Sequence, residues 1–375
     1  MHLRLIAALA LPLAVAAPIH AQEFDDWLRD AQMGPHAPAE EDWDAVLDAA
    51  RGEPPLQVFM TSSRVNQAIS SFAELYPDLV VEGVHIPASE MFERVRRERA
   101  AGNYGIGLLH ADDPERYLAQ FGEALVSYVP PQFMEVIPES ARDPLLTYRF
   151  LPTGVTYNPD TFPDAPPVTN IWDLTTEEFA GRVLIADPMQ TGSMLTYLVT
   201  LAGLHDEMAT AYEARFGNAI ALREENAGLE WARRLLENEP VIVGGTRDVA
   251  EAITNSSELM VGFNNFSRMR EVPTGRYNFR FVMGMEPADM VNLPVHLSVM
   301  AGSPSPNAAK LFVRHMLSDE GGAPWFEEGN PSSRTDWEPQ TEWIRPILEH
   351  TRIDVDFDHL LAATDDFIDF WIVNR

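Results

Sequence analysis

The sequence contains no cysteine and a single lysine, Lys310, among its 375 residues. Without cysteine the chain forms no disulfide bond, so its packed core alone must hold it folded. The missing cysteine also removes the acceptor for a lipid anchor behind an N-terminal signal. We therefore expect a free soluble protein stabilised by its hydrophobic core.

Several catalytic and nucleotide-binding motifs are missing as well. The GGTR stretch at 244–247 lacks the glycine spacing and the Gly-Lys-Ser/Thr ending of a P-loop. No GxGxxG follows a predicted strand, and there is no GxSxG elbow. Paired catalytic carboxylates cannot be singled out among 57 acidic residues. We assign no catalytic residue and expect no cofactor, although a secreted hydrolase stays open as an alternative.

Positive charge is scarce, and arginine supplies nearly all of it. The formal net charge is −30. A chain this acidic is repelled by nucleic acids and by anionic membranes, which argues against both as partners. The charge is compatible with a salty extracellular or periplasmic setting.

The first 21 residues have the three-part pattern of a secretory signal. Arg4 provides the positive start, Leu5–Ala17 the apolar segment, and Ile19-His20-Ala21 a cleavage site before Gln22. An apolar segment of about thirteen residues is too short to span a bilayer. We expect residues 1–21 to be a cleavable signal peptide and the mature protein to lie in the periplasm.

Apolar strand-like runs alternate with helix-like segments along the chain. Leu56–Met60 is a run of β-formers, and the next segment repeats apolar residues every three or four positions from Val65. Two more such runs are Leu79–Ile86 and Ile106–Leu109. The alternation predicts an α/β fold with a mostly parallel sheet.

Small hydroxyl and glycine residues stand at three predicted strand-to-helix junctions. They are TSSR at 61–64, QTGS at 190–193 and GGTRD at 244–248. Unpaired N–H groups and the positive helix dipole make a helix start an anion site. In parallel sheets these junctions lie where ligands bind, so we expect the three to meet in one cleft. The competing explanation is that each hydroxyl only caps its helix.

Arg64 and Arg247 occur at two of these junctions. Arginine binds a carboxylate or phosphate through two parallel hydrogen bonds. The alternative is a surface arginine paired with a neighbouring acid, an interaction that is common and weak.

Two acidic stretches allow a metal hypothesis. His110, Asp112 and Asp113 stand together, but a loop that caps a helix starting at Pro114 also explains both aspartates. A second stretch, IDVDFDH, alternates aspartates at 354, 356 and 358. It lacks the glycine and the terminal glutamate of a calcium loop, which favours a solvated acidic stretch. We assign no metal ligand.

The order and spacing of four stretches resemble the type II periplasmic solute-binding proteins of ABC importers, in the group of ferric-iron, thiamine, phosphonate and sugar-phosphate binders. The stretches begin VFMTSSR, TGVTYNPDTF, GGTRDVAEAI and SVMAGSPSPN, and they fall within 56–325. The resemblance implies two lobes, each a mostly parallel sheet flanked by helices, joined by hinge-crossing strands. We expect lobe 1 to comprise 22–154 plus about 286–330, and lobe 2 to comprise 155–285 plus about 331–375. The resemblance also implies a monomer that delivers its ligand to an inner-membrane ABC permease.

The chain departs from the iron-binding members of that group. Those members carry adjacent tyrosines where this chain has Phe266 and Ser267, and Ser63 and Arg64 stand where they offer histidine. Tyrosinate suits a hard cation, whereas arginine repels one. We therefore expect a small anion, such as a phosphonate, a phosphate ester or a carboxylate. Ferric iron or another metal, and a sensory role in place of transport, stay open.

The predicted ligand-binding residues come from both lobes. They are Thr61, Ser62, Ser63, Arg64, Gln190, Thr191, Gly192, Ser193, Gly245, Thr246, Arg247, Asn264, Asn265 and Phe266.

Overall fold

The computed structural model describes residues 19–348 and 350–375. Residues 1–18 of the predicted signal peptide lie outside the described residues, and its last three residues fall within the first helix. Among the helices that the structure describes, none is both long and apolar enough to cross a membrane.

Strands and helices alternate through most of the chain, as the sequence pattern predicts. The strands are β1 (Leu56–Met60), β2 (Val81–His85), β3 (Ile106–Ala111), β4 (Leu125–Val126), β5 (Thr147–Tyr157), β6 (Val183–Ala186), β7 (Val241–Val243), β8 (Val261–Asn265), β9 (Arg280–Phe281), β10 (Met290–Met300) and β11 (Arg352–Asp354). The helices are α1 (Ile19–Ala31), α2 (Trp43–Ala50), α3 (Val65–Leu75), α4 (Ala88–Ala100), α5 (Pro114–Phe121), α6 (Gly192–Gly203), α7 (His205–Phe216), α8 (Ala227–Glu237), α9 (Thr246–Asn255), α10 (Pro306–Leu317), α11 (Asp319–Phe326) and α12 (Phe357–Asn374).

One sheet runs through the molecule in the order β2-β1-β3-β10-β5-β8-β6-β7. The two ends of this order are parallel: β1 pairs with β2 and β3, and β6 pairs with β7 and β8. Between them, β10 runs antiparallel to β3 and β5, and β5 runs antiparallel to β8. The long strands β5 and β10 therefore join two parallel units. The residue 154/155 boundary expected between the lobes falls inside β5.

Each parallel unit has its own hydrophobic core. Trp231 and Phe263 belong to the core around β6 and β8, whereas Phe72 and Phe312 belong to the core around β1, α3 and α10. Residues of β10 contribute to both cores. This arrangement confirms the predicted two-lobed α/β fold with crossing strands at its centre.

The largest relevant shift from the predicted strands lies in β8. The sequence pattern predicts a strand over Leu259–Phe263, but the observed strand includes Asn264 and Asn265. Because strand side chains alternate between faces, the two asparagines point in opposite directions. This difference decides which of them reaches the site.

Candidate ligand-binding cleft

A cavity of about 510 Å³ opens where the ends of β1, β3 and β7 meet the crossing strand β5. Its lining comes from both parallel units and comprises Thr61, Ser62, Ser63, Arg64, His85, Asp112, Arg149, Leu151, Thr191, Ser193, Gly244, Gly245, Thr246, Arg247, Asp248, Asn265, Ser267, Arg268, Arg270 and Asn330. We call this cavity the cleft. Residues from all three predicted junctions line it.

Ten of the fourteen predicted ligand-binding residues line the cleft: Thr61, Ser62, Ser63, Arg64, Thr191, Ser193, Gly245, Thr246, Arg247 and Asn265. The other four, Gln190, Gly192, Asn264 and Phe266, do not line it. Contacts within the protein explain why each of these four residues lies outside the cleft lining.

Asn264 and Phe266 point into the protein. Asn264 is fully buried, and its Nδ2 donates to Thr156 Oγ1 at 2.9 Å. Phe266 follows β8 and stacks on Trp343 with 5.9 Å between ring centroids. Its ring is therefore part of the core and does not face the cleft.

Gln190 and Gly192 lie beside the cleft at the start of α6. The Gln190 side chain donates to Asp187 Oδ2 at 3.2 Å, within its own turn. Gly192 faces the buried Asp113, and a Cβ at this position would lie 2.8 Å from the aspartate Cβ. Only glycine allows this close approach between the start of α6 and the residue before α5.

Three helices begin at the cleft, at Val65, Gly192 and Thr246. Their N-cap residues are Arg64, Thr191 and Gly245, and none of these accepts a capping bond through its side chain. The hydroxyl-cap explanation therefore does not describe the N-cap positions. The positive ends of three helix dipoles face the cavity instead.

Arg149 is a cleft residue that the sequence reasoning missed. It lies on β5 and is only 5% exposed. Its Nε donates to the Tyr148 hydroxyl at 2.6 Å and its Nη1 to Asn330 Oδ1 at 2.8 Å. Within 19–348 and 350–375, it makes no ion pair with a carboxylate. A single arginine inside the apolar strand pattern TYRFL is the sequence signal that could have revealed it.

Arg64 and Arg270 share one carboxylate. Arg64 Nη2 lies 2.6 Å from Glu328 Oε2, and Arg270 Nε lies 3.1 Å from the same oxygen. Burial, followed by the charge of Arg270, lowers the pKa of Arg64 to about 10, so this arginine stays charged at neutral pH. Glu328 thus links arginines from the two sides of the cleft.

Arg268 and Arg247 complete the cationic lining. Arg268 pairs with Glu271 at 3.4 Å, and burial lowers its pKa. Arg247 is exposed at the rim and has no ion pair in the described part of the chain. Arg268 and Arg270 follow β8, and no strand-to-helix pattern pointed to them.

A buried acidic group lies next to the floor of the cleft. Asp113 and Glu115 are at most 1% exposed, and their carboxylate oxygens have no hydrogen-bond partner among the described residues. Burial, together with the charge of Asp112, raises the pKa of Asp113 well above its ordinary value. Burial raises the pKa of Glu115 to about 7. Asp113 is the N-cap of α5 but makes no capping bond, contrary to expectation.

The hypothetical metal ligands do not form a metal site. No group of three histidine, cysteine or acidic residues that could hold a metal occurs in the described ranges. His110 is fully buried, with its Nε2 2.7 Å from the Tyr148 hydroxyl. Burial lowers its pKa well below the ordinary value. Asp356 caps α12 by accepting from His359 N, and Asp354 accepts from Asn292 Nδ2.

Comparison with known families identifies the class of protein. Residues 67–347 match the family of bacterial extracellular solute-binding proteins, and the chain belongs to this family. It is therefore an extracellular solute-binding protein and not an enzyme, which confirms the resemblance drawn from the sequence. No curated protein sequence matches the chain.

Solved structures agree on the fold. The periplasmic binding protein AfuA from Actinobacillus pleuropneumoniae, with fructose-6-phosphate bound, has a TM-score of 0.67 at 17% identity, over 85% of this chain and 98% of that one. The ferric binding protein from Campylobacter jejuni gives 0.66 at 16% identity, over 85% and 99%. A substrate-binding protein of an ABC transporter from Agrobacterium tumefaciens gives 0.64 at 14% identity, over 88% and 96%.

Proposed function

We propose that this protein captures a small organic anion in the cleft and delivers it to an ABC permease of the inner membrane. The ligand is a phosphate ester, a phosphonate or a carboxylate, and the binding protein works as a periplasmic monomer. One observation carries the proposal: the buried Arg149 at the floor of the cleft has no carboxylate partner in the described residues.

A buried charge is costly unless an opposite charge compensates for it. Arg149 uses Nε and Nη1 for neutral partners, and its Nη2 has only a 3.4 Å contact with His110 Nε2. Asp112 of the cleft acts on Arg149 through its charge but does not form an ion pair with it, so an anion in the cleft would supply the direct counter-charge. Charge-assisted bonds of this kind are about twice as strong as neutral ones.

The remaining lining suits the same ligand. Hydroxyl groups come from Thr61, Ser63, Ser193, Thr246 and Ser267. They add donors to the helix N-termini and to the arginines. A bare cation would meet five arginines and would need acidic ligands that the described residues do not assemble.

Donors on both sides of the cleft would favour its closing around a ligand. Arg64 belongs to the unit of β1, and Arg268 follows β8 of the other unit. An anion bonded to both would stabilise the closed arrangement over the open one, a hinge-type population shift. The bound fructose-6-phosphate of the AfuA structure supports a phosphate ester for this fold.

A thermal-shift screen of the purified protein tests the proposal. The panel contains hexose phosphates, alkyl phosphonates, dicarboxylates and ferric citrate. A ligand at one hundred times its Kd stabilises the native state by about 2.7 kcal/mol, so at least one anion should raise the melting temperature clearly. Stabilisation by ferric citrate alone, with bound iron and a visible charge-transfer colour, would overturn the anion assignment.

A further inference from the structure

A second cavity, of about 540 Å³, lies away from the cleft. Its lining comprises Pro138, Ser140, Ala141, Asp143, Pro144, Thr147, Phe150, Asn292, Pro294, His296, Ser333, His350, Arg352, Asp354, Val355 and Phe357. We call it the hinge cavity because β5 and β10 form one wall. Its volume is within the roughly 300–1,000 Å³ of small-molecule sites.

The hinge cavity lies on the reverse side of the crossing strands. Side chains alternate between the faces of a strand. On β5, Arg149 and Leu151 line the cleft, whereas Phe150 between them lines the hinge cavity. On β10, Asn292, Pro294 and His296 are two residues apart and all line the hinge cavity. β5 thus contributes residues to both cavities, and β10 contributes residues to the hinge cavity.

Three buried polar atoms at the hinge cavity have no hydrogen-bond partner in the part of the chain that the structure describes. They are His296 Nε2, Asn292 Oδ1 and Ser333 Oγ. Their residues are only 3%, 7% and 5% exposed. A buried polar atom without a partner destabilises the folded protein, because it has lost its hydrogen bonds to water. Three such atoms around one cavity point to an occupant that supplies hydrogen bonds.

The chemistry of the wall differs from that of the cleft. Burial lowers the pKa of His296 to about 3, so the ring is neutral at physiological pH and one of its nitrogens can accept. Asn292 Oδ1 accepts only, and a serine hydroxyl both donates and accepts. Asp143, Asp354 and Arg352 leave the formal charge of the wall slightly negative, which disfavours a second anion.

Apolar surface covers the rest of the hinge cavity. Phe150, Phe357 and three prolines contribute to it. Hydroxyl groups, which both donate and accept, match the polar atoms, and the C–H faces of a small sugar or polyol match the rings. From this combination we infer that the hinge cavity binds a neutral polyhydroxylated molecule of about monosaccharide size. The inference stands independently of the ligand proposed for the cleft.

The test is a binding measurement with four named probes: D-glucose, D-ribose, sorbitol and glycerol. Saturation-transfer NMR detects binding to the wild-type protein, and calorimetry gives the affinity. At least one probe should bind. The double variant Asn292→Leu/Ser333→Ala should weaken that binding at least tenfold, because it removes two of the three unpartnered atoms.

A second variant keeps the test valid should the buried changes disturb folding. Ser140 is an exposed residue of the lining, so Ser140→Trp should obstruct the entrance without altering a buried group. Its matched control is Ser70→Trp, on the exposed face of α3, which should bind the probe as the wild type does.

Three results would overturn the inference. The first is that none of the four probes binds. The second is that a probe binds equally well to the wild type and to Ser140→Trp, which would place it elsewhere, for example in the cleft. The third is that ethanolamine or putrescine binds at the cavity and the polyols do not, which would identify a site for amines.

Discussion

The two faces of the crossing strand β5 border cavities of different chemistry, the cleft on the front and the hinge cavity on the reverse. On the front, Arg149 lies in a cleft with four further arginines. On the reverse, a neutral His296 and Asn292 face a cavity with one arginine and two aspartates. Both cavities share β5, so the difference comes from the alternation of its side chains and from the segments packed on each face.

This contrast shows how a chain with a net charge of −30 can still provide an anion site. Global charge sets long-range steering, but binding depends on the local set of donors. The front face gathers five arginines and three helix starts in one place. Single substitutions on and around the two faces can measure how far their chemistry differs.

The largest effect is expected from Arg149→Gln. The change removes the buried charge on the front face, and we expect anion affinity to fall by about 100-fold or more, on the order of 3 kcal/mol. Calorimetry with the best anion from the screen measures it. Arg51→Gln carries the same charge change outside the cleft and should bind within twofold of the wild type. An anion held equally well by Arg149→Gln would remove the main support for the proposed function.

The next effect concerns Glu115, in the buried acidic group beside the cleft, and the pH dependence of the unfolding free energy. The folded-state pKa of Glu115, about 7, lies above the ordinary value of 4.5. Its contribution to stability is therefore fully present below about pH 4.5 and is lost as the pH rises through about 7. Relative to the wild type, Glu115→Gln should gain about 2–3 kcal/mol in unfolding free energy between pH 5 and pH 8.

Urea unfolding at the two pH values measures this difference. Glu123→Gln, an exposed residue close in sequence, is the control and should keep the wild-type pH dependence. The pH dependence of stability has the opposite sign for His296 on the reverse face. Its pKa is lowered in the folded protein, so His296 destabilises the fold as the pH falls below about 6.5. If Glu115→Gln and the wild type differ equally at both pH values, Glu115 is not protonated in the folded protein.

A smaller effect, of opposite sign, is expected from Glu328→Gln. The Glu328 carboxylate lies between Arg64 and Arg270 and occupies donors that the ligand needs. Removing its charge should tighten anion binding by about fivefold, roughly 1 kcal/mol. Glu338→Gln, at an exposed position, provides a charge-matched control. Weaker binding in Glu328→Gln would show that this carboxylate positions the arginines and does not compete with the ligand.

The smallest effect is expected from Arg247→Ala. This arginine is exposed at the rim, and rim charges change association rates more than they change final affinity. We expect about threefold weaker binding, mainly through a slower and less salt-sensitive association, with little change in melting temperature. Stopped-flow association at two salt concentrations measures it, with Arg97→Ala, an exposed arginine that does not line the cleft, as the control. A loss as large as that of Arg149→Gln would move the centre of the site to the rim.

The sequence was sufficient for the fold because its strand and helix patterns were strong and their order was specific. The three strand-to-helix junctions could also be predicted from the sequence, because small residues between an apolar run and a helix mark the end of a strand. The sequence did not determine which side of the sheet a residue faces when that residue lies near the end of a strand. A two-residue shift in β8 decided that Asn265 lines the cleft and Asn264 does not.

The floor of the cleft could not be assembled from local patterns. Arg149 acquires its role because β5 passes between the two units, and Asn330 reaches it from a position 181 residues further along the chain. Glu328 likewise meets arginines that are distant in sequence. Such contacts depend on topology, which no junction motif encodes. The hinge cavity was missed for the same reason.

A crystal structure with the anion that ranks first in the screen would show whether Arg149 binds the ligand. We expect the anionic group to lie within hydrogen-bond distance, about 3 Å, of Arg149 and of donors from both lobes. An anion bound outside the cleft, or in the cleft without contact to Arg149, would contradict it.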